Sequence, residues 1–180
     1  MIERMYAEYA WEKTETLLSI DSPSGYTAKA AQWVKEAFEK LGFSAVITAK
    51  GGVLADMGGE NADDGLLLEA HADTLGGMVA EIKGNGRLRL TSLGGMNPNN
   101  GEAENVWVYT RSGKVIDGTL QLCNASVHVN GDYSSAKRSW DTMEVVLDED
   151  TASAADTRKL GIEVGDFVCF EPRTRRTASG

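Results

Sequence analysis

Between Gly76 and Phe170 the sequence is cut into short apolar runs by glycine-bearing turns, and this rhythm limits the possible folds more than any other feature. Met78, Ala80 and Ile82 alternate, Gly84-Asn85-Gly86 interrupts, and Arg87-Leu88-Arg89-Leu90 takes up the alternation again. Strand residues two apart share a face, and Asn-Gly readily supplies the positive φ angles of a tight turn, so the segment reads as a hairpin. Val106 to Thr110 and Val115 to Leu120 flank Arg111-Ser112-Gly113-Lys114 in the same way. Met143 to Leu147 and Asp166 to Phe170 read as further strands, with one short helix, roughly Ser153 to Leu160, ahead of Gly161. A succession of short strands and tight turns predicts a small, mostly antiparallel barrel or sandwich.

The preceding stretch has a different texture. Ile2, Met5, Tyr6 and Tyr9 recur at helical spacing, as do Ala31, Val34, Phe38 and Leu41. Gly42 stands where the second helix should end, and Ser24 is a candidate cap for its start. Apolar runs at Phe43 to Thr48, Val53 to Met57 and Leu66 to Ala70 predict strands. Leu66-Leu67-Leu68 is continuous, as expected of a strand covered on both faces, and helices on such a sheet form an α/β layer. The expected organisation is an α/β part over residues 1–75, a β-barrel over 76–170, and a return toward the α/β part over 171–180. The tail from Glu171 reads as polar chain, with Arg173, Arg175 and Arg176 solvated.

Acidic residues outnumber basic ones by 27 to 18, a net charge of -9, which argues against nucleic acid or an anionic membrane surface as partner. No apolar stretch is long enough to span a bilayer. Glu3, Arg4 and Glu8 break up the first eleven residues, so a secretory leader is not expected and a cytoplasmic location is. Cys123 and Cys169 lie far apart without CxxC spacing and read as reduced, buried thiols.

The residues with most chemical promise are His71 and Asp73, at the end of the Leu66 to Ala70 run. Two apart on an extended chain, they project to one side where ligands bind in open α/β sheets. An imidazole there can hold a divalent metal, with the carboxylate fixing its tautomer through the second ring nitrogen. The bare pattern by itself fits better a hydrogen-bonded histidine at a strand end beside a surface aspartate. Glu69 shares the face and reads as a solvated carboxylate; His128, the other histidine, has no ligand spacing. Neither a phosphate-binding loop nor a GxSxG motif is present.

Four stretches, in order, resemble the glutamyl and tetrahedral aminopeptidase family, which includes proteins once labelled endoglucanases. Ser22-Pro23-Ser24-Gly25-Tyr26 resembles its opening turn, and His71-Ala72-Asp73-Thr74-Leu75-Gly76 its first metal-binding segment. Leu93-Gly94-Gly95-Met96-Asn97-Pro98 and Leu160-Gly161-Ile162-Glu163-Val164-Gly165-Asp166 are similar to segments of its inserted domain. The resemblance implies a zinc-peptidase-like α/β domain interrupted by a small antiparallel β-barrel that supports homo-oligomer contacts. It implies a peptide substrate and two divalent metal ions, zinc or cobalt, with His71 a ligand and Asp73 the catalytic-site group that orients it.

Thr74 stands where many members carry an acidic residue, which leaves substrate and metal preference open. The family's bridging aspartate, glutamate pair and remaining ligands follow its inserted domain and match nothing before Gly180. The chain is therefore expected to be an N-terminal fragment, inactive alone. A non-catalytic oligomerisation or peptide-binding module is the alternative. Carbohydrate hydrolysis would need two carboxylates facing across a sugar, and no spacing singles out such a pair.

Overall fold

The computed structural model describes residues 2–61 and 63–177; the end of the tail, including the expected break at Gly180, lies outside them. The architecture is mixed α/β: two helices with a small two-stranded sheet, and a separate closed barrel of six antiparallel strands. The chain divides into two compact units, Leu75–Glu171 and the remainder.

In the first unit, α1 (Ile2–Leu18) and α2 (Ala28–Lys40) precede β1 (Ser44–Ile47) and β2 (Val53–Asp56), which pair antiparallel. Gly42 ends α2 as expected. At φ +88° its N–H reaches the Glu39 carbonyl at 2.9 Å while that of Phe43 reaches Phe38 at 3.1 Å, the two bonds of a Schellman cap. Ser24 does not cap this helix: the cap position is Thr27, with no side-chain capping bond.

Two further expectations fail here. Leu66, Leu67 and Leu68 form no strand and are 85%, 71% and 72% exposed. A central strand needs a hydrogen-bonded neighbour along each edge, and among the described residues nothing pairs with this run. The tail is not wholly solvated either. Arg176 reaches both carboxylate oxygens of Glu8, at 2.5 and 2.6 Å, with its guanidinium 5.9 Å from the centre of the Trp11 ring. The apolar stripe of α1 stays outside: Ile2, Met5, Tyr6 and Tyr9 are all exposed.

The second unit contains β3 (Gly76–Ile82), β4 (Leu88–Leu93), β5 (Asn105–Tyr109), β6 (Val115–Leu122), β7 (Met143–Leu147), a short helix α3 (Ala154–Lys159) and β8 (Phe167–Phe170). Every strand expected from the alternation is present. The barrel order is β3-β4-β7-β6-β5-β8, and β8 closes it by pairing with both β5 and β3, Gly76 opposite Cys169. Inward residues alternate along each strand, and Leu88, Leu90, Val106, Val108, Leu120 and Val145 are 0–1% exposed. Of the two thiols, Cys169 is buried and Cys123 only half-buried.

The hairpin at Gly84-Asn85-Gly86 forms, with turn chemistry other than expected. Only Gly86 takes a positive φ (+84°); Asn85 does not, and its side chain accepts from the Arg87 N–H at 3.2 Å. Lys83 and Arg87 bracket a three-residue loop, and Gly113 (φ +85°) repeats this between Thr110 and Lys114. Gly86 also docks α3: its carbonyl accepts from the buried Thr157 hydroxyl at 2.6 Å, and a Cβ would lie 3.1 Å from that oxygen. Gly86→Ala combines left-handed strain with this squeeze and is expected to lower stability by about 2 kcal/mol, read from urea unfolding.

Candidate functional site

The site is built from two distant segments of the first unit held side by side. Ser22 is fully buried; its hydroxyl donates to the Ala72 carbonyl at 2.9 Å, and its own carbonyl accepts from the Thr74 N–H at 2.8 Å. Pro23 and Thr74 form a parallel bridge at the same place. Tyr26 N–H then bonds the Pro23 carbonyl at 2.7 Å, with Gly25 at φ +93°, so that Pro23-Ser24-Gly25-Tyr26 is a tight turn whose third position requires glycine. Ser24 is thereby set opposite Asp73.

His71 and Asp73 are brought together, on irregular chain and not at the strand end expected for them. His71 Nδ1 lies 3.0 Å from Asp73 Oδ1 and 3.0 Å from the Asp73 carbonyl oxygen. The other carboxylate oxygen, Oδ2, accepts a short hydrogen bond from the Ser24 hydroxyl. The Ser24 hydroxyl first, and the His71 ring second, hold the Asp73 carboxyl below its ordinary value. The His71 side chain is 85% exposed, and Nδ1 is the nitrogen that Asp73 engages, which leaves Nε2 for a ligand.

This arrangement suits one part of a metal centre. A neutral imidazole held through Nδ1 by a carboxylate presents the Nε2 lone pair to a cation. Among the described residues, no group of three His, Cys, Asp or Glu side chains could hold an ion, so His71 stands as a single donor. Glu69 and His128 are exposed and join no such group. Ser24 donates to the carboxylate and not to the imidazole, so the three side chains do not form a histidine-activated nucleophile. Sequence reading missed this role of Ser24; its signal was the Ser-Pro-Ser-Gly turn, whose partner lies 49 residues away.

A model of the M42 glutamyl aminopeptidase family matches residues 51–180. The chain belongs to the M42 glutamyl aminopeptidase family. A candidate aminopeptidase of Bacillus subtilis, YhfE, is 40% identical over 169 residues, covering 94% of this chain and 49% of that protein. Among solved structures, an aminopeptidase of the archaeon Desulfurococcus kamchatkensis superposes with TM-score 0.81 at 23% identity, covering 96% of this chain and 46% of that one. The TET1 peptidase of Pyrococcus horikoshii, described as assembling into a tetrahedron or a large octahedral shell, superposes with TM-score 0.71 at 23% identity, over 89% and 46%. The two solved structures share the fold of this chain, and the chain spans about half the length of each of the three proteins.

Proposed function

We propose that this chain is the part of a metal-dependent aminopeptidase that carries its first metal ligand, His71, and the group that orients it, Asp73. The observation that supports this reading is the His71 Nδ1 to Asp73 contact at 3.0 Å, in a member of the M42 family. When bound, a pair of divalent ions, zinc or cobalt, supplies an activated water and polarises the scissile carbonyl of a peptide. The protein's share in this segment is to present Nε2 in the ligating tautomer and to keep the Asp73 carboxylate ionised. Asp73 does the second through its bonds to Ser24 and His71. The general base and the remaining ligands are assigned to the portion of the relatives that this chain does not span.

The barrel over 76–170 is proposed as an inserted domain with an assembly role, a reading supported by the likeness of the chain to the TET1 peptidase, which assembles into a tetrahedron or a large octahedral shell. Residues 1–75, with the return at 171–180, belong to the catalytic domain in this reading. The test is release of a chromogenic group from aminoacyl substrates, with zinc or cobalt added. This chain is compared with one extended to the length of its relatives. Metal-dependent release by the extended chain, abolished by a chelator, is the expected outcome. No release by either, together with concentration-dependent self-association, would favour a non-catalytic assembly or peptide-binding module.

A further inference from the structure

We propose that Ser24 is a positioning residue that locks the Asp73 carboxylate and thereby selects the Nδ1–H tautomer of His71; its catalytic meaning rests on the metallopeptidase reading above. The tautomer follows from the neighbours of Nδ1. Both atoms that face it at 3.0 Å, Asp73 Oδ1 and the Asp73 carbonyl oxygen, are acceptors, so the neutral ring places its proton on that nitrogen. The lone pair is left on Nε2.

What needs explaining is why so exposed a pair should hold one geometry. The His71 and Asp73 side chains are 85% and 38% exposed, and contacts between side chains in water, even ion pairs, are weak because ordering two side chains opposes them. Ser24 removes that freedom from the carboxylate by donating to Oδ2, which turns Oδ1 toward the ring. Ser24 is itself immobilised. The buried Ser22 and Pro23 fasten the turn to Ala72 and Thr74, and Gly25 completes it. The hydroxyl is thus delivered by bonds of the Ser22–Tyr26 turn that do not involve the imidazole.

Long-range nitrogen–proton NMR of the histidine rings in this chain, with the imidazole neutral, tests the assignment without metal or substrate. His71 and His128 are the two histidines, and His128→Gln identifies their signals. His71 is expected to be mainly Nδ1–H. Ser24→Ala should move it toward the Nε2–H form, and Ser24→Thr, which keeps the hydroxyl, should restore it. Ser22→Ala removes one buried side-chain bond but keeps the backbone bond from Thr74 to residue 22 and the Pro23–Thr74 bridge that seat the turn, and should lower the melting temperature while leaving the tautomer unchanged. The proposal is overturned if Ser24→Ala leaves the tautomer as it was, or if the tautomer shift follows melting temperature in both serine variants. It is equally overturned if His71 shows no Nδ1–H preference to begin with. Failure of metal-dependent peptide release would instead remove the aminopeptidase reading and leave the tautomer result standing.

Discussion

Replacing Lys83 and Arg87 together by methionine is expected to cost about 3 kcal/mol of folding stability at neutral pH. Both side chains converge on Glu144, whose side chain is 1% exposed although it stands on the opposite face of β7 from the inward Met143 and Val145. Lys83 Nζ donates to one carboxylate oxygen at 2.5 Å, and Arg87 donates to the other through a shorter bond. Burial alone would raise the Glu144 carboxyl, but the bonds from Lys83 and then Arg87 outweigh it and hold the group below its ordinary 4.5. Methionine conserves much of the stems that cover the carboxylate and removes the charge, so the loss reports an uncompensated buried anion. The loss falls at the lower end for a broken buried pair because the two cations are themselves about a third exposed.

The pH dependence carries an independent signature. In the parent chain the folded carboxyl lies below its unfolded value. Its stabilising contribution is therefore complete above the unfolded value and is lost as pH falls through the folded one. In the double variant, burial without cations raises the folded carboxyl, so that stability recovers as pH falls through the raised value. Urea unfolding at pH 7 and near pH 4 should accordingly show the gap between the two proteins narrowing in acid. A gap independent of pH would mean that lost packing, and not charge, accounts for it.

The second large effect is steric. Gly118 lies on the inward face of β6, opposite Val106 of β5 and Leu147 of β7. A Cβ there would stand 2.7 Å from the Val146 carbonyl oxygen and 2.9 Å from Val145 Cγ1. A side-chain end can swing aside, but a carbonyl of the adjoining strand moves only if that strand moves. Gly118→Ala is expected to lower stability by about 3 kcal/mol, the upper end for overpacking by one carbon. Gly131→Ala, where a Cβ meets nothing within 4 Å, is the control expected to be near neutral. Equal unfolding free energies for the two variants would show that the barrel yields at this crossing.

The barrel was legible because its information is local. Alternation within each strand and glycine at two hairpins specify pairing between neighbours, and all six expected strands are present. Leu66-Leu67-Leu68 misled for the opposite reason: a continuous apolar run carries no partner within itself, and among the described residues nothing pairs with it. His71 and Asp73 could be read from their spacing, since both lie on one short stretch. Ser24 was legible as a turn residue and not as the partner of Asp73, because that contact joins residues 49 apart. Glu144 gave no signal at all; its cations lie 57 and 61 residues away, and its place in β7 looks like any outward charge.

Because β3 begins the barrel unit, β8 ends it and the two are paired, the polypeptide enters and leaves that unit on adjoining strands, with Gly76 directly across from Cys169. Facing residues in an antiparallel pair are only about 5 Å apart. To the flanking sequence, the whole barrel therefore occupies no more span than a tight bend. Lengthening or shortening a loop within the barrel leaves the separation of its two chain ends unchanged.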